Sequence, residues 1–330
     1  MMRRFLVAAA IVFLIGGWNA PGTFAAQSSN ADAQRDYNSG RYNRAVDALN
    51  ASVAKTPDDA SLYHLLGQCY YQLRDFTRAV SSLERAAQLS PKNSEIHDWL
   101  GKSYGRRAEE TVFLNAMSWA KKAHHEFEVA VDLDARNFEA QRDLIRYEMN
   151  APAVVSGGDD KALKHIDALE KIDPVQGELA RGEFFQTKKR FPEADKVFLT
   201  LLQSNNEKAG VYFEVSDYFR DRQDAAKMEQ AIDKAMSVDA EDRRLKFYRG
   251  VLLTMQGKSP AEAEADLKSY LSTVPDNSDV PPHALAREWL GKLYESLKRY
   301  SESAEEYKKS LLLDPHNKGV QEAYKRVQSK

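Results

Sequence analysis

The sequence predicts an all-α protein, an α-solenoid of about eight helix pairs with a capping helix at its C-terminal end. Equivalent residues recur 34 positions apart, as Gly67 and Gly101 do and as Pro57 and Pro91 do. Between them, apolar and small residues follow the spacing of three and four that marks one helical face. One helix pair cannot bury such a face alone, so the repetition indicates stacked units that share a continuous core.

The clearest unit spans 60–93. Its recurring positions are Tyr63, Leu66, Gly67, Tyr70, Phe76, Ala79, Leu83, Ala86, Leu89 and Pro91. Gly67 and Ala79 lack bulk, which predicts that the two helices cross closely there. Leu83 and Ala86 are expected to face the following unit. Pro91 cannot continue the second helix, so the chain turns and begins another pair.

This pattern resembles the tetratricopeptide repeat, a helix–turn–helix unit with small residues at set positions and a closing Pro. The resemblance covers nearly all of 26–330 and is clearest at 26–59, 60–93 and 284–317. It implies a curved array whose first helices line a concave groove that holds a protein or peptide. Residues 317–329 carry Val320, Ala323 and Val327 at helical spacing, which predicts the solvated end helix that repeat arrays need.

The stretch 96–200 is also similar to bacterial envelope proteins that contain these repeats, which implies an exported location and brings no enzymatic activity. Two insertions interrupt the frame, near 105–118 and 151–160. The first predicts a longer helix pair in which Val112, Ala116 and Trp119 share one face. The second contains Pro and paired Gly and predicts a loop, with Asp159 and Asp160 capping a helix that starts near Lys161. Insertions of this kind often lie on the binding face.

The first 25 residues have the pattern of a signal peptide. Arg3 and Arg4 precede an apolar run from Phe5 to Trp18, and small residues follow up to Ala26. The apolar run is short for a membrane span, which favours cleavage near Ala25 or Ala26 over an uncleaved anchor. We therefore expect a periplasmic or secreted bacterial protein. Contact with a membrane is expected only if the segment is retained.

Composition and motifs argue against several classes of function. With 47 basic and 49 acidic residues the net charge is −2, which does not favour nucleic-acid binding. Gly101-Lys102-Ser103 matches the end of a phosphate-binding loop, but Ile96 stands where that loop needs a Gly. The single Cys69 excludes an intrachain disulfide, and no His pair has the spacing of a metal-binding helix. The sequence predicts no enzyme, no cofactor and no metal.

What remains is binding through the groove. Groove-facing positions inferred from the resemblance are His64, Gln68, Tyr71, Lys102, Arg106, Arg142, Arg146 and Arg220, with Ser61, Asp98 and Asp217 beside them. Two interpretations are open for Lys102, Arg106, Arg142 and Arg146. They form a basic strip that binds an acidic peptide or a chain-terminal carboxylate, or they belong to a solvated surface. In the second reading Asp98 and Glu139 are available as local partners. The clamp for C-terminal acidic peptides in this family needs Lys and Asn where this chain has Asn30 and Gln34.

The sequence therefore predicts a non-catalytic adaptor or scaffold for proteins or peptides in the bacterial cell envelope. The alternative is an architectural component that is tethered by an uncleaved N-terminal anchor and has no free peptide groove. The sequence specifies neither the partner, nor the pathway, nor the oligomeric state.

The first testable prediction is that the leader is removed. Because the apolar run from Phe5 to Trp18 is too short for a comfortable span, N-terminal sequencing of the protein from its native host should begin near Ala26. Retention of the run in the mature protein would contradict cleavage and favour the anchor.

Overall fold

The computed structural model describes residues 31–275 and 280–330, which form an all-α solenoid. The predicted leader, 1–25, lies outside these residues. The described residues form eight consecutive helix pairs and a last single helix, which confirms the predicted fold class. The helices are α1 (31–38), α2 (Tyr42–Val53), α3 (Ala60–Gln72), α4 (Phe76–Leu89), α5 (Ser94–Glu109), α6 (Phe113–Leu133), α7 (Phe138–Asn150), α8 (Asp159–Ile172), α9 (Pro174–Thr187), α10 (Phe191–Gln203), α11 (Ala209–Asp221), α12 (Ala225–Val238), α13 (Leu245–Gln256), α14 (Pro260–Thr273), α15 (His283–Ser296), α16 (Tyr300–Leu313) and α17 (Lys318–Gln328).

The odd-numbered members of the pairs are called inner helices here and the even-numbered members outer helices. Each helix contacts its partner and the next helix in the chain, and inner helices also contact the inner helices of adjacent units, as α5 contacts α7 and α13 contacts α15. The curved stack therefore presents one row of inner helices on its concave side. Helix α17 packs on α16 and covers the end of the core with Val320, Ala323 and Val327.

Polar side chains cap the start of several inner helices, and left-handed residues follow the end of several of them. Asn93 accepts hydrogen bonds from the backbone N–H groups of Glu95 and Ile96, which satisfies donors that the first turn of α5 leaves unpaired. The turns to the outer helices contain residues with positive φ, including Arg74 and Lys298. A left-handed residue at this point lets the chain reverse sharply and stack the second helix on the first.

Helix pairs cross where the inner helix has a glycine. A Cβ added at Gly67 would lie 2.4 Å from Cγ of Leu83 in the outer helix. The same close approach occurs in four further pairs, between Gly101 and Phe127, Gly182 and Phe198, Gly250 and Leu267, and Gly291 and Tyr307. The crossing predicted at Gly67 is therefore real, but its direct contact is Leu83. Leu83 also faces the following unit, as predicted.

Leu83 serves both interfaces. It is fully buried against Gly67 in its own pair and belongs to the cluster that contains Trp99 and Leu100 of the next unit. The largest cluster runs from Leu179 to Tyr294 and includes stacked ring pairs, such as Phe213 with Tyr248 at 4.6 Å between centroids. Clusters of the core therefore extend across neighbouring units, as expected for a stack that no single pair stabilises alone.

The first insertion lengthens two helices. Helices α5 and α6 contain 16 and 21 residues, and Trp119 stacks on Tyr104 with ring centroids 5.5 Å apart. The prediction for Val112 was wrong, because Val112 precedes α6 in an extended conformation and is 78% exposed. The side chains at 113 and 114 lie outside the described part of the structure.

The second insertion is a compact loop with a short 3-10 helix at Ala153–Val155. Val155 is buried, and the Tyr147 hydroxyl donates to its carbonyl oxygen at 2.7 Å. Helix α8 begins at Asp159, earlier than predicted, so Asp159 and Asp160 lie in its first turn and make no side-chain capping bond. Carboxylates there still favour the positive end of the helix dipole. Asp159 also pairs with Lys188 at 2.5 Å, which ties the loop to α9 and its following turn.

Within the described residues, none of the helices combines the length and the apolar character that crossing a membrane requires.

The crossing geometry predicts opposite effects for two glycines. Gly67→Ala should lower thermal stability, because overpacking costs about 1–3 kcal/mol and the helix-propensity gain of up to about 1 kcal/mol offsets only part of it. Gly105→Ala is the matched control in the next inner helix, where an added Cβ meets no atom within 4 Å, and it should melt at the same or a higher temperature. Ala79→Leu should also destabilise. Equal melting shifts for Gly67→Ala and Gly105→Ala would contradict the crossing.

Candidate binding groove

The inner helices enclose a groove with a volume of about 1460 Å³. Equivalent positions of successive units line it. The fifth residues of α3, α5 and α7 are His64, Asp98 and Arg142, and all three line the groove. Helices α1, α11 and α13 contribute further side chains, and residues 280–282 complete the wall. The regular register of the inner helices therefore brings residues far apart in sequence to one surface.

The structure places most of the predicted residues in this groove. His64, Gln68, Lys102, Arg142 and Arg146 line it, as do Ser61, Asp98 and Asp217.

Three predicted residues have other surroundings. Tyr71 packs edge-on against Phe76 and Trp99, and Arg106 lies over the Phe76 ring and donates to Glu109 at 2.6 Å. Arg220 pairs with Asp217 and with Asp221. None of these three belongs to the described lining of the groove.

Lys102 pairs with two carboxylates. Its ammonium nitrogen lies 2.8 Å from Oδ2 of Asp98 on the same helix and 2.9 Å from Oδ2 of Asp143 on α7. Burial would lower the pKa of Lys102, but the two carboxylates outweigh burial and raise it. Lys102 therefore stays charged, and its charge is balanced within the chain.

Arg142 joins three inner helices. Its guanidinium donates to both carboxylate oxygens of Glu214 on α11 at 2.6 Å and to Glu183 on α9 at 3.1 Å. Arg146, one turn later, donates to Glu183 at 2.7 Å and to Asp143 at 3.3 Å. Burial acts to raise the pKa of Glu183, but Arg146 and Arg142 together lower it. The bidentate geometry between Arg142 and Glu214 is the stronger form of such a pair.

We call these residues the inner charge network: Asp98, Lys102, Arg142, Asp143, Arg146, Glu183 and Glu214. It contains four carboxylates and three cations, so its formal charge is −1. Asp98 pairs with Lys102 as expected, whereas the partners of Arg142 are Glu183 and Glu214 rather than the nearer Glu139. The cations predicted as a basic strip are therefore neutralised by the chain itself.

Some buried polar atoms in the groove wall have no hydrogen-bond partner. They include Oδ1 of Asp98, Nε of Arg142 and Nε2 of His64. Burial raises the pKa of Asp98 to about 7, and burial lowers the pKa of His64 against the opposing effect of Glu95. An unpaired buried polar atom is costly, so these atoms have unused capacity to bind a ligand.

The residues of the phosphate-loop resemblance have no phosphate-binding geometry. Gly101, Lys102 and Ser103 are interior residues of α5, and the Ser103 hydroxyl donates to the Trp99 carbonyl at 2.8 Å. Within the described ranges, no group of His, Cys, Asp and Glu residues is arranged to hold a metal ion.

Sequence reasoning missed one titratable cluster. Glu148, buried between three helices, lies 2.7 Å from Nδ1 of His165 and 3.4 Å from Nε2 of His124. Burial would raise the pKa of Glu148, but the two histidine hydrogen bonds lower it. The cluster joins α6, α7 and α8 away from the groove lining. No short motif links residues separated by 24 and 17 positions, so the sequence carried no signal for it.

Two family models for the tetratricopeptide repeat match the chain, one over residues 30–94 and one over 285–317. No curated protein matches the chain in sequence.

Three solved structures illustrate what the fold is similar to. A tetratricopeptide repeat protein from Parabacteroides merdae is 15% identical, with 92% of this chain and 99% of that chain covered and a TM-score of 0.46. An O-GlcNAc transferase from Thermobaculum terrenum is 17% identical, covering 48% and 28% of the two chains with a TM-score of 0.40. The first tetratricopeptide repeat of Spaghetti (RPAP3), bound to an HSP90 peptide, is 20% identical, covering 37% and 89% with a TM-score of 0.32.

The family-model matches fall on α1 to α4 and on α15 and α16, the helix pairs whose sequence pattern is clearest. The same glycine crossing recurs in three of the five helix pairs between them, at Gly101, Gly182 and Gly250. The chain therefore contains tetratricopeptide repeats.

Proposed function

We propose that this chain is a non-catalytic scaffold that holds a segment of a protein partner in its groove, within the bacterial cell envelope. The observation that carries the proposal is the groove itself. Its volume of about 1460 Å³ exceeds the roughly 300–1,000 Å³ of typical small-molecule pockets. Its lining extends from α1 to residues 280–282, which suits an extended chain better than a compact metabolite.

Ion pairs within the chain hold side chains of the groove wall in place. The inner charge network links α5, α7, α9 and α11 through side chains that are buried or partly buried, and Arg142 is only 8% exposed. Side chains that are already fixed lose little conformational freedom on binding, which favours affinity. The same pairing commits Lys102 and Arg142 to carboxylates of the chain, which favours a binding role for the groove over catalysis.

Two sequence features support the proposed location. The N-terminal pattern of Arg3, Arg4 and the following apolar run is typical of export. Cys69 is the only cysteine and is buried, and burial raises the pKa of its thiol to about 12, so its reactive thiolate form is scarce. A chain of this composition needs no disulfide and exposes no thiol among its described residues in an oxidising compartment.

Photo-crosslinking tests the use of the groove. A photoreactive amino acid replaces Gln68, which lines the groove, in one variant and Ser81, which is exposed on outer helix α4, in a control variant. Both variants are produced in the native host and irradiated. We expect a crosslinked partner from position 68 and none, or much less, from position 81, because a bound segment contacts only the concave side.

Equal crosslinking from both positions would contradict binding in the groove. Absence of any crosslinked product from position 68, with the variant folded and correctly localised, would favour the architectural alternative.

A further inference from the structure

The balance of unpaired charge in the groove is acidic. Among the described lining residues, three exposed carboxylates form no ion pair: Glu95, Asp134 and Glu139. Lys92 is the one described lining cation that is exposed and forms no ion pair. Lys102, Arg142 and Arg146 are neutralised by the inner charge network. An incoming anion would therefore meet unpaired carboxylates, and an incoming cation would be attracted.

Two of these carboxylates occupy equivalent positions. Glu95 and Glu139 are the second residues of α5 and α7, adjacent inner helices that contact each other. Asp98 follows Glu95 by three residues, so both side chains lie on the same face of α5. Glu139 contributes to the raised pKa of Asp98, whereas Glu95 opposes the lowering of the His64 pKa by burial. All three carboxylates line the same groove, on two inner helices that contact each other.

Asp98 gives this acidic group a specific acceptor. It is only 2% exposed, its Oδ2 pairs with Lys102, and its Oδ1 has no hydrogen-bond partner. A buried carboxylate oxygen without a partner costs free energy, which a donor group from a ligand would recover. Glu95 and Glu139 are exposed, whereas Asp98 is buried.

We propose that Glu95, Asp98 and Glu139 form a subsite for an organic cation, the ammonium or guanidinium group of a lysine or arginine side chain in the bound partner. This inference rests on the proposed function. A long apolar stem suits the site, because Leu65 and Trp99 line the same stretch of groove and would pack along it. A metal ion does not suit it, because the described carboxylates are not arranged for metal coordination.

Three defined probes test the subsite. They are fluorescent hexalysine and hexaglutamate, both N-acetylated and C-amidated, and spermine as a competitor. Hexalysine should bind the full-length protein more tightly than hexaglutamate, and its affinity should fall as salt rises, because opposite charges near the surface are screened. Blocked termini exclude recognition of a terminal amine or carboxylate.

The variant Glu95→Gln with Glu139→Gln should weaken hexalysine binding roughly tenfold, since each partly exposed pair contributes modestly. The matched control, Asp47→Asn with Asp233→Asn, removes the same charge from exposed positions on outer helices α2 and α12 and should change binding less than about twofold. Circular dichroism melting verifies that each variant is folded.

Each contrary result has a distinct meaning. Three results would overturn the subsite. They are failure of hexalysine to bind, an equal loss of hexalysine affinity in the two double variants, and tighter binding of hexaglutamate than of hexalysine. If spermine binds more tightly than hexalysine, the subsite is assigned to free polyamines. That result would overturn the proposal that it holds a lysine or arginine side chain of a partner. Crosslinking from position 68 is measured separately, so the proposed function survives any of these results if that crosslink persists.

Discussion

The close crossing of two helices at a glycine is the contact on which the solenoid depends. Where Gly67 meets Leu83 or Gly291 meets Tyr307, the missing Cβ allows a bulky side chain of the outer helix to rest against the inner backbone. This contact fixes the distance between the helices of a pair, and repeated pairs with the same distance stack into a regular curve. The concave groove is therefore a product of packing on its opposite side. Many of its lining residues can be polar because the crossing within each pair does not depend on them.

That freedom explains the chemistry of the groove. Outer and inter-helix surfaces supply the apolar core, as in the continuous cluster from Leu179 to Tyr294, so the inner faces carry ionic side chains at little cost to stability. Charged groups in a concave wall must still be paired or solvated, and the inner charge network pairs them. Arg142 and Glu214 meet in bidentate geometry although they are 72 positions apart. The groove is thus polar, its charges are largely paired within the chain, and its unpaired carboxylates are exposed.

The repeat spacing was sufficient to predict the fold, the number of pairs, the capping helix and the glycine crossing, because each depends on residues close in sequence. It also placed five of the eight predicted groove residues on the groove wall. It did not identify the partners of Arg142, because the approach of α7 to α11 depends on the curvature of the whole stack. The pairing of His124 and His165 with Glu148 depends on an irregular insertion. Val112 was misplaced because a spacing pattern does not reveal where a helix begins.

The bond between Arg142 and Glu214 has a mechanical consequence. In a simple solenoid each unit contacts only its neighbours, so all units are expected to separate equally when the array is stretched. Here the Arg142 side chain on α7 binds carboxylates on both α9 and α11. The helix pairs that contain α7, α9 and α11 cannot separate until these ion pairs break. Among the described contacts, no equivalent link joins the first or the last pairs. We therefore expect a stretching force to separate the end pairs before the central ones, so that the groove keeps its shape in the middle of the array.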